Sequence, residues 1–343
     1  MKIQLPIELI YTTGSNETRY ELKKICQNFK KICMISGLSV SCDYAKSLRL
    51  SCVKDRIYHL PVGECSLSVA NCLNEKLKSD KVDCIVAVGG GRVVDLCKKI
   101  SKDLEINLVS IPTSIANDGL ISPISVIRDG NYSISIPGKM PNIVILDLQS
   151  ITQAPVEFIH AASCDIVTNL SATNDWDLSQ IDNDLNQGLA KELAIAAANA
   201  VLNMYTWDLN NLDFVKTIIS GQILSGISMA VSGSSRPCSG AEHLLSHAMD
   251  YLKIAPEMLH GKKVAIAARF VLRLQNKTTI RLDEYFNAMS IPKRFPVGTE
   301  NVKYDLMKIF ATARNMRPGR KTVLDEFSDE ELFTIYLQEA KNE

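Results

Sequence analysis

The chain has 343 residues, 46% of them hydrophobic and 22% charged, which is long enough for two domains with separate cores. Its 38 basic and 38 acidic side chains cancel, so no cationic excess is available for nucleic-acid phosphates or an anionic membrane surface. The composition therefore disfavours both of those partners and is that of an ordinary globular protein.

Ten cysteines are scattered without zinc-knuckle spacing in a chain too long to need disulfide staples, so free thiols in a reducing, cytoplasmic setting are expected. The first residues carry no apolar run of signal-peptide length. No stretch reads as long and apolar enough to span a bilayer, and no membrane insertion is expected.

In chain order, residues 18–30 carry helical spacing, and the short apolar strand Lys31–Ser36 follows and ends at Gly37. A helix over 42–51, a strand over Arg56–Leu60 and a helix over 67–78 come next. Val82–Val88 is the most apolar strand, and it is followed by a helix over 92–102 and a strand over Ile106–Ile111. Such alternation predicts a parallel sheet covered by helices on both faces. Ile124–Arg128 and Tyr132–Ile136 alternate about Asp129-Gly130 and predict a hairpin, after which Asn142–Asp147 returns to the sheet. Beyond residue 154 the pattern is helical, over 155–173, 184–207, 211–231, 240–252, 258–275, 282–290, 300–315 and 328–340. An α/β dinucleotide-type domain over residues 1–153 and an all-α domain over 154–343 are expected, with the binding site in the cleft between them.

Three stretches carry chemistry. Gly89-Gly90-Gly91-Arg92-Val93-Val94-Asp95 leaves the best strand and opens a helix. Glycines there let backbone amides at a helix N-terminus approach a pyrophosphate, and Asp95 suits the positive end of the helix dipole. The spacing is not the Gly-x-Gly-x-x-Gly fingerprint, and a bare triple glycine is also a common turn. The loop Ser110–Pro123, with Thr113, Ser114, Asp118 and Ser122, follows a parallel strand at the carboxyl edge, where ligands bind; the bland alternative is a polar surface loop.

The third stretch is histidine-rich. His243 and His247 lie one helical turn apart and share a face, and His260 opens the next helical segment. Upstream, Asp165 sits among Ala, Cys, Ile and Val, where an unpaired carboxylate is costly to bury. Asp165, His243 and His260 would supply one oxygen and two nitrogens, a ligand set with room left for substrate. Half-buried histidines bonded to backbone are the alternative. A metalloprotease is excluded because Leu244 stands where the general-base Glu would follow the first His.

Taken together, Gly89–Asp95, Ile111-Pro112-Thr113, Asn117-Asp118-Gly119, Ser122-Pro123, Asp165, Asn174-Asp175-Trp176, Ser239–His247, His260-Gly261 and Arg317–Leu324 resemble the sn-glycerol-1-phosphate dehydrogenases. These belong to the superfamily of iron-type alcohol dehydrogenases, glycerol dehydrogenase and dehydroquinate synthase. The resemblance implies zinc, or else nickel or iron, on Asp165, His243 and His260. It implies NAD or NADP over Gly89, Gly90, Gly91, Asp95, Thr113 and Ser114, with Asp118 and Ser122 near the nicotinamide and substrate. His247 and Asp118 are the implied catalytic groups, and a homo-oligomer is expected. The implied reaction is reversible reduction of dihydroxyacetone phosphate to sn-glycerol 1-phosphate, with Arg236 and Lys262 as candidate phosphate anchors.

The sequence departs from the family pattern at Cys164, Lys262, Ala265 and Ala267, beside the implied ligands. Gly37 stands where an acidic residue would select NAD, so NADP is expected to be accepted. The rival readings are a dehydrogenase for another polyol or ketone, a dehydroquinate synthase-like cyclase, and a metal-free binding protein on the same scaffold. Intact Asp165, His243 and His260 speak against the last.

Overall fold

In chain order the first unit runs β1 (Glu8–Thr12), α1 (Ser15–Cys26), β2 (Ile32–Ser36), α2 (Val40–Arg49), β3 (Ile57–Pro61), α3 (Leu67–Ser79), β4 (Cys84–Gly89), α4 (Gly91–Asp103), β5 (Asn107–Pro112), β6 (Ile124–Asp129), β7 (Tyr132–Pro137), β8 (Ile143–Asp147) and α5 (Leu148–Gln153). Then come α6 (Val156–Val167), α7 (Asn169–Leu178), α8 (Leu185–Leu202), α9 (Leu212–Ser232), α10 (Ala241–Tyr251), α11 (His260–Leu274), α12 (Ile280–Ala288), α13 (Val302–Asn315) and α14 (Asp329–Ala340). The computed structural model describes residues 7–50, 56–116, 118–130, 132–179, 185–298 and 300–340. The chain divides into two units, Met1–Phe158 and Ile159–Glu343.

In the first unit six parallel strands follow the order β1-β8-β5-β4-β2-β3, and β6 and β7 form a separate antiparallel pair. Every residue of β2 and β4 is buried, as expected of central parallel strands covered on both faces. Alternate side chains feed two cores. Ile32, Met34 and Val86 pack with Leu22 and Leu48 of α1 and α2. Cys33, Ile35 and Ile85 pack with Leu77 and Leu96 of α3 and α4. The parallel sheet and its two helical layers are as the sequence predicts. β1 lacks a strong sequence signal because it is a five-residue edge strand, half exposed and paired only with β8.

Strand register brings the ligand-type loops to one edge. Ser36 lies opposite Val88 and Gly89 opposite Pro112, so Gly37, the triple glycine and Thr113 all leave the sheet at its carboxyl end. The order reverses between β2 and β4, and such a switch point is where open α/β sheets bind ligands.

Two expectations need correction in the helical unit. The helix expected over 155–173 is broken at Thr168, whose amide and hydroxyl both bond to the Asp165 carbonyl, at 3.2 and 2.7 Å. That competing local bond ends α6 and starts α7. The second is the expectation that no stretch is of membrane-spanning length and apolarity: α9 has 21 residues, and an 18-residue window of it has a mean hydropathy of 1.4. Most of α9 is buried against its own unit, α8 included, so its apolarity serves a protein core. Residue 184 and the hairpin residue Asn131 lie outside the described residues. No disulfide joins the described cysteines.

Candidate metal and nucleotide sites

In the helical unit α10 presents His243 and His247 on one face, and α11 opens on His260. The start of α11 passes so close to α6 that a Cβ on Gly261 would lie 2.0 Å from the Ala161 carbonyl oxygen. Only glycine fits there, which accounts for the His-Gly pair and brings His260 to the helix that carries Asp165. The candidate ligand atoms of Asp165, His243 and His260 all lie within 4.8 Å of one another. His243 Nε2 stands 3.5 Å from Asp165 Oδ1, and the His243 and His260 ring centroids are 5.2 Å apart.

Glu242, which the sequence reading passed over, orients this site. It has no exposed surface, and its Oε1 lies 3.0 Å from His243 Nδ1. With Nδ1 held by a carboxylate, Nε2 is left to face Asp165. Glu242 also accepts from the Gly240 amide at 2.5 Å and the Ser171 hydroxyl at 2.7 Å. Asp175 accepts from the amides of Ala241 and Val323, at 2.6 and 2.9 Å, and from Gln275 Nε2 at 2.8 Å. The motif residues Asp175 and Val323 therefore tie the start of α10 to the tail. The sequence signal was present in Glu242, an acid directly before a candidate ligand, but its orienting role needs the fold.

The electrostatics suit a cation. Burial opposes a charge on His243, but Asp165 and Glu242 outweigh it and raise that imidazole to about 9. Burial, then neighbouring His243, lowers His260. Burial, then His260, lowers His247 well below the usual range, with Arg317 and Arg320 adding to the effect. Burial thus favours the neutral, metal-ligating imidazole at His260, and at His243 the two carboxylates favour a positive charge, which a bound cation would supply in place of the proton.

His247, Asp250 and His260 form a second convergent set within 4.8 Å. There Asp250 is half exposed and already accepts from the buried Lys263 ammonium at 2.5 Å. An ammonium at the carboxylate repels a second cation, so the Asp165 set is the better metal site. His247 stacks on His260 at 5.6 Å between ring centroids.

The family departures are explained in part. The Cys164 thiol is buried against the Tyr285 hydroxyl at 4.0 Å, and burial raises it to about 12, so it acts as a core group. Lys262 is half buried and close enough to Cys164 to influence it; Ala265 and Ala267 are buried. Arg236 Nη1 donates to the Lys321 carbonyl at 3.0 Å.

In the α/β unit, α4 begins beyond Gly90 with no side-chain cap, which leaves its first amides available to an anion. None of Gly89, Gly90 and Gly91 has a positive φ, so space is what glycine provides here. A Cβ on Gly90 would meet Ser114 Oγ at 2.8 Å, which puts Ser114 against the glycine turn. The Thr113 amide donates to the Gly89 carbonyl at 3.0 Å.

Asp95 and Ser122 are buried and meet through Lys98, a lysine with no exposed surface. Lys98 Nζ donates to Asp95 Oδ1 at 3.1 Å, Gly119 O at 2.8 Å and Ser122 Oγ at 3.2 Å. The pair is a clamp between α4 and the loop after β5. Asn117 and the Asp118 side chain lie outside the described residues; the backbone at Asp118 forms a 3-10 turn, Asp118–Leu120.

Comparison with known proteins agrees with this architecture. The family described as iron-containing alcohol dehydrogenase matches residues 21–155. The glycerol-1-phosphate dehydrogenase [NAD(P)+] of Nitrosopumilus maritimus is 35% identical over 306 residues, covering 87% of this chain and 84% of that one. The same-named protein of Methanosphaera stadtmanae is 29% identical over 336 residues, covering 94% and 93%. Among solved structures, a probable glycerol dehydrogenase from Sinorhizobium meliloti superposes with a TM-score of 0.79 at 19% identity, over 97% of this chain and 96% of that one, which shows the shared fold. The sequence resemblance and these relatives converge: this chain belongs to the glycerol-1-phosphate dehydrogenase family.

Proposed function

We propose that the protein reversibly reduces dihydroxyacetone phosphate to sn-glycerol 1-phosphate with NADH or NADPH. The observation that carries the reading is the convergence of buried Asp165 and His243 with half-buried His260, in a chain whose relatives bear that enzyme's name. In this reading those three residues hold a divalent metal, with zinc, nickel or iron as candidates, and the first turn of α4 with Thr113 and Ser114 holds the nucleotide. When bound, the two groups supply Lewis-acid polarisation of a ketone and a hydride.

The chain's own residues do the rest. Glu242 fixes the tautomer of His243, and Ser246 Oγ, 3.3 Å from His260 Nδ1, does the same for His260. His247, held neutral by burial and cationic neighbours, can accept a proton from the alcohol or pass one to the forming alkoxide through water. The Asp95–Lys98 clamp orders the loop that carries Asp118 and Ser122. A reducing, cytoplasmic setting and a homo-oligomeric assembly belong to the same proposal.

The test is a screen of metal-loaded protein with both nucleotides against dihydroxyacetone phosphate, dihydroxyacetone and other small ketones, with the stereochemistry of the product determined. The reading predicts a kcat/KM for the phosphorylated ketone at least about 100-fold above that for the free one, and the sn-1 product. Equal values, or a preference for an unphosphorylated polyol, would transfer the chain to another dehydrogenase reaction.

A further inference from the structure

We propose that Arg317, Arg320 and Arg236 form a phosphate-monoester pocket beside His247; the proposal rests on the reading of this protein as a reductase of a small phosphorylated ketone, and names the groups that take the phosphate. Two of the three come from the stretch after α13, and Arg236 from a 3-10 turn before α10. Arg317 Nη1 donates to Ser235 Oγ at 2.8 Å and reaches Ser239 Oγ at 3.4 Å. Arg320 Nη2 donates to the same Ser235 Oγ at 3.2 Å, and its Nη1 donates to the Ser239 carbonyl at 2.5 Å. Two guanidinium groups that share one hydroxyl oxygen lie no more than about two hydrogen-bond lengths apart. Arg236 reaches the same stretch through the Lys321 carbonyl at 3.0 Å.

Like charges gathered this closely need compensation. Neither Arg236 nor Arg320 has a salt bridge among the described residues. The acids that Arg320 feels, Glu242 and Asp175, have their oxygens engaged by Gly240, Ser171, His243, Ala241, Val323 and Gln275. Burial, followed by repulsion from Arg317 and Arg236, pushes Arg320 down to about 9. A guanidinium keeps its proton under such strain, so the unfavourable field is one that an incoming dianion relieves. All three arginines are half buried.

The location matches the chemistry. Arg320 holds the Ser239 carbonyl, three residues before the Glu242 that meets His243, and His247 follows one turn later with its ring 6.2 Å from His243 and 5.6 Å from His260. A ligand whose carbonyl end meets Asp165, His243 and His260 and whose anionic end meets the arginines passes His247. In a short phosphorylated ketone the two ends are only a few bonds apart. The planar guanidinium fork suits phosphate oxygens better than an ammonium does.

The test uses the metal-loaded full chain and its Arg317→Gln, Arg320→Lys and Arg236→Gln variants. Titration calorimetry with inorganic phosphate is run beside kinetics on dihydroxyacetone phosphate and dihydroxyacetone. We expect the kcat/KM ratio of phosphorylated to free ketone to fall roughly 100-fold in Arg317→Gln and about 10-fold in Arg320→Lys, mainly through KM. Phosphate binding should weaken in step, with metal content and NADH affinity retained. An unchanged ratio, or equal losses on both ketones together with loss of metal, would overturn the pocket and leave the arginines as braces of the turn before α10. If the parent protein reduces no phosphorylated ketone yet binds phosphate through these arginines, the pocket stands and the proposed reaction falls. If it reduces dihydroxyacetone phosphate and no arginine variant changes the ratio, the reaction stands and the pocket falls.

Discussion

Glu242 and His243 are adjacent in sequence, and although helix neighbours do not face each other, the Gly240 amide and the Ser171 hydroxyl hold the acid against Nδ1 of His243. Replacing Glu242 with Gln keeps the size and an acceptor but removes the charge. Metal affinity, measured by competition with a chromophoric chelator, should fall about 10- to 100-fold while the fold persists. An unchanged affinity would show that Asp165 alone aligns His243. Other single-residue features differ in how readable they were. His243 and His247 declare themselves by a four-residue spacing, and Asp165 by its apolar neighbours. Arg317 and Arg320 have no periodicity, and only the fold brings them to Ser235 and Ser239.

At the scale of elements, α4 and the loop after β5 are joined by Lys98. Its ammonium is the sole acid-pairing group described for the buried Asp95, whose carboxyl is pushed upward by burial despite that partner. Removing one member leaves a buried charge without its counterion, so Lys98→Met should destabilise the α/β unit by about 3 kcal/mol or more. Asp95→Asn combined with Lys98→Met should recover much of that loss. Denaturant unfolding of the single and double variants decides it, and equal losses in both would deny the coupling. The same elements show what was legible. Uninterrupted apolar runs identified β2 and β4, and helical alternation identified α4. The role of Asp95 was not readable, because a first-turn acid suits both a helix dipole and a buried ion pair, and sequence spacing alone does not choose. The break at Thr168 was hidden for a similar reason: a hydroxyl bond to the Asp165 carbonyl competes locally with continued helix.

Across the whole molecule, one unit offers uncapped amides at the carboxyl edge of a parallel sheet, and the other offers a buried carboxylate with two imidazoles. A dehydrogenase of this family needs both, and its reaction should fail selectively when either is altered. The most direct measurement is metal content together with dihydroxyacetone phosphate turnover in Asp165→Asn, His243→Ala, His260→Ala and His247→Ala, with nucleotide affinity as the control. The first three should lose bound metal and at least about 1000-fold in turnover while still binding NADH; His247→Ala should keep the metal and lose rate or substrate affinity. Loss of metal from His247→Ala with retention in His243→Ala would move the site to His247, Asp250 and His260, and full turnover without metal in all four would contradict the mechanism itself.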